Sequence, residues 1–177
     1  VADESAAAAG AVDAARIIDA DAAPSEWLSH GRTYSEQRFS PLSEIDTQNV
    51  AELGLAWYAE LPTRRGLETT PLMATRKLHV TRPWGHVLAY DARSGALLWH
   101  FDPNVPKDYG RHACCDVVNR GVALWGTRVY AASLDGRLRA LDRDTGAVVW
   151  EVDTRINDVD SYTITGAPRV VNGKVII

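Results

Sequence analysis

Short apolar stretches punctuated by turn dipeptides run through the second half of the chain, and they repeat. Val87-Leu88-Ala89-Tyr90-Asp91-Ala92-Arg93-Ser94-Gly95-Ala96-Leu97-Leu98-Trp99 returns as Leu138-Arg139-Ala140-Leu141-Asp142-Arg143-Asp144-Thr145-Gly146-Ala147-Val148-Val149-Trp150. The same offset of 51 residues carries Lys77-Leu78-His79-Val80 onto Arg128-Val129-Tyr130-Ala131, and Lys174-Val175-Ile176-Ile177 opens a third copy 46 residues later. A period near 50 belongs to propeller blades or another repeat array. Within the second unit the pattern predicts strands at 121–124, 128–133, 137–141 and 147–152, separated by Trp125-Gly126-Thr127, Asp135-Gly136 and Asp144-Thr145-Gly146. Asp-Gly is a strong hairpin signal, so the four strands form an antiparallel meander. Meanders of this kind, with a Trp closing each repeat, predict an all-β fold of the β-propeller type. Trp99 and Trp150 are then packing residues between blades rather than ligand binders.

Trp57, in Leu53-Gly54-Leu55-Ala56-Trp57-Tyr58, reads as the terminal strand of a blade whose other strands are missing, a strand that closes the ring onto the last blade. The sequence supplies that strand, two blades and the beginning of a third, against four to eight blades in typical propellers. Val175-Ile176-Ile177 stops inside a strand, which reads as a fragment. The expected organisation is an Ala-rich N-terminal segment at 1–23 and the N-terminal part of a propeller domain at 24–177. The segment 5–12 lacks the basic region of a signal peptide. A mature N-terminus left by cleavage and a frayed Ala-rich helix both remain open.

Composition changes this picture only by exclusion. A 46% hydrophobic chain with six tryptophans has ample material for a core. Its net charge of −4 gives no support to a nucleic-acid partner. No apolar run approaches the roughly 18 residues of a membrane-spanning helix. The five histidines show no metal-ligand spacing, and neither a phosphate-binding Gly-rich loop nor a Cys-x-x-Cys-His haem signature is present.

The candidate chemistry lies in loops. Cys114 and Cys115, the only cysteines, are adjacent. A disulfide between neighbours is awkward, because bridged Cα atoms usually stand about 4.4–6.8 Å apart and a trans peptide holds them at about 3.8 Å. The pair is either a rigid vicinal ring serving as a platform or two inert buried thiols. Equivalent positions of successive blades share a face, and Glu68, Asn119 and Thr165 occupy equivalent sites before each first strand, with Arg120 following Asn119. The long connection from 102 to 119 contains both cysteines, and long connections are often functional. Acceptors, donors and a fixed positive charge near a propeller axis suit a flat, polyanionic, carbonyl-rich ligand, since Arg pairs bidentately with carboxylates.

Trp27-Leu28-Ser29-His30-Gly31-Arg32-Thr33-Tyr34-Ser35, Arg38-Phe39-Ser40-Pro41-Leu42, Gly54-Leu55-Ala56-Trp57, Arg65-Gly66-Leu67-Glu68-Thr69-Thr70-Pro71-Leu72, Cys114-Cys115-Asp116-Val117-Val118-Asn119-Arg120-Gly121 and Ser161-Tyr162-Thr163-Ile164-Thr165-Gly166-Ala167-Pro168 carry a resemblance. Over 24–177 the chain resembles the pyrroloquinoline quinone-dependent alcohol dehydrogenases, and within them the quinohaemoprotein branch more than methanol dehydrogenase. The resemblance implies an eight-bladed propeller that oxidises small primary alcohols in the periplasm and passes electrons to a cytochrome or other acceptor. It implies a quinone on the axis, contacted by Glu68, Arg120 and Thr165 and covered on one face by a Cys114–Cys115 vicinal disulfide. It places the catalytic aspartate, the calcium ligands and any haem c domain beyond Ile177, so that residues 1–177 alone are expected to be inactive. The rival readings are a non-catalytic scaffold of the outer-membrane assembly lipoprotein type, which shares the Asp-x-x-Thr-Gly-x-x-x-Trp repeat, and a truncated, inactive product. Two departures bear on the first blade's hairpins. Met73-Ala74-Thr75-Arg76-Lys77 lacks the usual positive-φ turn residue, and Pro83 stands near a strand where it cannot donate a ladder hydrogen bond.

Overall fold

The computed structural model describes residues 10–157 and 162–177. Two four-stranded antiparallel sheets follow one another, each in simple sequence order. The first holds β1 (Leu72–Ala74), β2 (Lys77–Arg82), β3 (His86–Asp91) and β4 (Leu97–Phe101). After β5 (Cys114–Val117), the second holds β6 (Ala123–Trp125), β7 (Arg128–Ala132), β8 (Arg137–Asp142) and β9 (Val148–Asp153). A third begins with the hairpin β10 (Arg169–Val171) and β11 (Lys174–Ile176), closed by Asn172-Gly173 with both residues at positive φ. These are two propeller blades and the opening of a third, as the repeat predicts. The N-terminal segment adds a one-turn helix, α1 (Ala14–Ile18), capped by Asp13, whose carboxylate accepts from the Arg16 amide.

The blades face each other across one core. Leu72, Ala74, Val87, Ala89 and Trp99 from the first meet Val122, Leu124, Val129, Ala131 and Leu141 from the second, and Val12, Ile17 and Leu28 close the cluster from the N-terminal side. Main-chain bridges fasten that side: Val12 pairs with Gly126, and Trp27 with Met73 of β1.

A recurrent contact sets one blade against the next. In the turn between β8 and β9, Asp142 accepts from the amides of Asp144 and Thr145, leaving Gly146 at φ 73° with its bare Cα beneath the Trp99 indole. A Cβ there would stand 2.6 Å from the ring, and the indole N–H donates to the Arg143 carbonyl at 3.0 Å. Trp57 makes the same contact one blade earlier, over Gly95, donating to Ala92 O at 3.0 Å. In both sheets the ladder register shifts at the equivalent step, between Ala89 and Tyr90 and between Ala140 and Leu141, and such a bulge re-aims the Trp that follows.

Three sequence expectations need adjustment. Residues around Trp57 form no strand, because a strand exists only against a ladder partner; the indole docks without one. Trp150 is 40% exposed and lies against Tyr130 of its own sheet at 5.8 Å, whereas Trp99 is buried. The first blade's hairpins are well formed despite their sequences. Thr75 and Arg76 adopt φ of 48° and 63°, held by a bond from Thr75 N–H to Glu26 and one from Ala92 N–H to Arg76 O. Pro83 falls in the turn after β2, outside the ladder.

His79 is the polar exception in the core. Fully buried beside Trp99, with the carbonyls of Leu72 and Arg143 as neighbours but no well-formed hydrogen bond to either ring nitrogen, it has its pKa lowered to about 4, chiefly by burial.

Candidate functional site

The segments preceding β1, β6 and β10 run side by side and are joined through the main chain. Thr70 N–H donates to Arg120 O at 3.1 Å, and Arg120 N–H donates to Thr165 O at 3.0 Å, so three blade entrances form one continuous ladder. Gly121 permits the close approach: its φ is 129°, and a Cβ would stand 3.1 Å from Thr70 O.

On this ladder the Arg120 side chain is central. Its Nη2 pairs with Glu68 Oε2 at 2.9 Å and its Nη1 donates to Thr165 Oγ1 at 2.6 Å. Three of the residues singled out from sequence therefore converge. Both members of the ion pair keep more than a third of their side-chain surface exposed, so they are accessible to a ligand. Asn119 turns the other way. It is buried, donating to Ala132 O at 2.9 Å and accepting from Gly121 N–H at 3.0 Å, and its carbonyl takes the Thr81 hydroxyl. Asn119 shapes the loop from within, and Arg120 is the residue presented outward.

Cys114 and Cys115 open β5 as exposed free thiols, so the structure displays neither buried thiols nor a closed vicinal disulfide. A hydrogen bond with Cys115 holds the Cys114 thiol above its usual pKa, reinforced by desolvation, while the positive charge of Arg120 acts in the opposite sense. Asp116, at φ 63°, anchors the next position through an ion pair with Arg65 at 2.8 Å, so the segment bearing Glu68 is tethered to the segment bearing the cysteines. Sequence reading missed this tether; the signal was a carboxylate directly after the cysteines and an arginine three residues before Glu68.

A cavity of about 260 Å³ lies elsewhere, between Ala15, Arg16, Glu26 and Leu28 of the N-terminal segment. The Glu68–Arg120–Thr165 cluster is an open surface, one arc of a ring. Among the described residues no group of three or more His, Cys, Asp or Glu is arranged to hold a metal ion, and no helix is long and apolar enough to cross a membrane.

Consecutive four-stranded meanders with Trp-on-turn docking define part of a β-propeller, with a polar cluster at its blade entrances. The chain belongs to the family described as PQQ, glucose/ethanol/alcohol dehydrogenase, beta-propeller domain, whose model matches residues 27–177. It is 56% identical over 172 residues to quinohemoprotein alcohol dehydrogenase ADH IIB of Pseudomonas putida, covering 97% of this chain and 25% of that protein. It is 52% identical over 156 residues to 1-butanol dehydrogenase (cytochrome c) of Thauera butanivorans, covering 88% and 23%. The solved structure of quinohemoprotein alcohol dehydrogenase ADHIIG from Pseudomonas putida HK5 superimposes with a TM-score of 0.91 at 53% identity, over 98% of this chain and 25% of that one. The chain thus spans about a quarter of the length of these relatives.

Proposed function

We propose that residues 1–177 are the part of a quinoprotein alcohol dehydrogenase that holds one side of its cofactor, and that the whole enzyme oxidises small primary alcohols to aldehydes. The observation that carries this reading is the convergence of Glu68, Arg120 and Thr165 from three successive blade entrances, with the Glu68 segment tied by Arg65 to Asp116, the residue after Cys115. Their chemistry fits pyrroloquinoline quinone. Arg120 is a planar donor for a carboxylate or quinone oxygen, Glu68 an acceptor for a ring N–H, and Thr165 a hydroxyl that donates or accepts. When bound, the quinone would supply a two-electron oxidant, and a calcium ion held by residues outside 1–177 would supply Lewis acidity.

This chain's residues bind and orient. Arg120 supplies a positive charge and a planar set of donors. Glu68 offsets that charge when the site is open and holds the guanidinium in place. The cysteine pair, closed to a vicinal disulfide in an oxidising compartment, covers one face of the ligand and excludes water there. The catalytic aspartate and the calcium ligands are assigned to residues outside 1–177, as is any haem c. A periplasmic location and a cytochrome acceptor complete the reading; the latter draws on the name of the Thauera relative.

The test is reconstitution of the full-length enzyme. Alcohol-dependent dye reduction must require added quinone and calcium, and alkylation of the oxidised enzyme without prior reduction must leave Cys114 and Cys115 unmodified. Activity without quinone would overturn the functional reading, and alkylation of both thiols would overturn the disulfide.

A further inference from the structure

The turn joining β2 to β3 contains a conformation that a bulky residue rarely adopts. Among the described residues, Trp84 is the one aromatic side chain at positive φ, 71°, and it lies between Pro83 and Gly85, which is itself at φ 75°. A large side chain in the left-handed region is a genuine outlier, and such strain persists only where the surroundings over-determine it. The surroundings here do so. Pro83 is fully buried, and Gly85 is pressed on Ser133 of the second blade, where a Cβ would meet the Ser133 Cβ at 3.0 Å. Ser133 is in turn fixed by bonds to Asp135 at 2.5 Å and from Arg139 at 2.6 Å.

The Trp84 ring is directed at the connection that carries the cysteines. Gly110 is wedged between Trp84 and Val117: a Cβ on it would stand 3.0 Å from Trp84 Cη2 and 3.4 Å from Val117 Cγ1. The Lys107 ammonium sits over the same ring, 4.1 Å from its centroid. Val105, Val117 and Leu134 are buried in the cluster that Trp84 and Tyr109 flank, and the Pro83–Gly85 turn packs directly against β5. Val117 is the last residue of β5, two positions after Cys115. A continuous stack therefore runs from the second blade's Ser133 through the turn and Gly110 into the strand that begins with the cysteines.

We propose that Trp84 is a positioning residue for the Cys114–Cys115 platform, its strained conformation retained because the ring clamps the 107–117 connection against Val117. The inference deepens the functional reading and rests on it for the quinone, but the clamp itself is a property of the chain. Released, β5 is free to shift relative to Arg120, and the platform no longer stands square to the cluster it covers.

The experiment uses the full-length enzyme with Trp84→Gly, which removes both strain and ring, and Trp84→Phe, which keeps an aromatic ring. Lys107→Met removes the cation above the ring and covers the case in which Trp84→Gly fails to fold. Three quantities are read: the quinone dissociation constant, the rate at which iodoacetamide alkylates Cys114 and Cys115 in reduced, quinone-free protein, and the denaturation midpoint. Trp84→Gly is expected to raise the quinone dissociation constant about tenfold, equivalent to about 1.4 kcal/mol. It should also speed alkylation several-fold, with Trp84→Phe returning both towards wild type and Lys107→Met shifting both in the direction of Trp84→Gly. A structural role alone moves the midpoint and leaves the other two. Dissociation constant and alkylation rate both within twofold of wild type in Trp84→Gly, or in Lys107→Met where Trp84→Gly does not fold, overturn the proposal. A wild-type enzyme that binds no quinone overturns the functional reading instead, and the alkylation arm still decides the clamp.

Discussion

Replacing Arg120 by Ala should separate binding from stability. In the open site the guanidinium pairs with Glu68 at 2.9 Å and Thr165 at 2.6 Å, but the two charged side chains keep 38% and 43% of their surface exposed. An ion pair so placed contributes about 0–1 kcal/mol to folding. The bonds that join the blade entrances, Thr70 N–H to Arg120 O and Arg120 N–H to Thr165 O, belong to the main chain and survive the substitution. Covered by a ligand, the same guanidinium is desolvated, and a hydrogen bond to a charged group is then worth about 1.5–3 kcal/mol. At about 1.4 kcal/mol per decade, that is a loss of roughly ten- to a hundredfold in quinone affinity. Arg120→Lys keeps the charge without the planar fork and should fall between. The assay is an equilibrium quinone titration of the full-length enzyme, paired with urea denaturation of the quinone-free protein. A dissociation constant within twofold of wild type would remove Arg120 from the site. A stability loss of several kcal/mol with unchanged affinity would make it a structural residue, contrary to the reasoning.

Trp99→Ala should do the reverse: loss of a buried indole over Gly146 and of its bond to Arg143 O costs about 3–5 kcal/mol of stability, read as a lower urea midpoint, with quinone affinity little changed in the protein that remains folded. His79 should make stability pH-dependent. Its folded pKa, about 4, lies below the 6.5 of the unfolded chain, so the unfolded state takes up the proton first; stability is full above pH 6.5, falls between pH 6.5 and 4 by roughly 3 kcal/mol, and levels off below. A midpoint as high at pH 4.5 as at pH 7, or a His79→Leu variant with an unchanged pH slope, would show that this residue is not the source. Expressed alone, residues 1–177 should be inactive and self-associating, since every residue of β9 is exposed along the second blade's free edge; a monodisperse monomer by light scattering would contradict this.

The repeat made the blades legible because each Asp-x-x-Thr/Ser-Gly turn is a local structure, closed by an aspartate accepting from the amides two and three residues on. Strand limits followed within a residue or two. Conformations imposed from a distance were not legible. Nothing in Thr75-Arg76 signals two left-handed residues; Glu26, 49 residues away in sequence, supplies the partner of Thr75, and Ala92 that of Arg76. The site was legible to one residue. The repeat offset sets Asn119 against Glu68, and the Thr70–Gly121 bridge keeps that offset, but side chains of an extended segment alternate faces, and Asn119 turns inward to Ala132 O and Gly121 N–H while the next residue points out. Arg120, which the sequence marks as the positive charge of the cluster, is the one that meets both. The cysteine pair was conspicuous by adjacency, while the groups that hold it, Trp84 and Asp116, depend on positive-φ backbone that the sequence does not display.

The two repeating contacts divide the work between opposite ends of a blade. Strands β6 and β8 run in the same direction, each antiparallel to β7. The start of β6, where Arg120 meets Glu68 and Thr165, and the end of β8, where the turn over Gly146 receives Trp99, therefore lie at opposite ends of the sheet. The Trp contact is buried, apolar and exacting in shape, with no room for a Cβ, and it fixes the angle between blades. Between the first two blades the entrance ladder inherits that angle, and the buried Asn119 side chain, bonded to Ala132 O and Gly121 N–H, fixes the loop from which Arg120 reaches Glu68 and Thr165. Stability is concentrated at one end, and charge remains accessible at the other. The polar end can thus present an ion pair that adds little to folding, leaving its hydrogen-bonding capacity for a ligand.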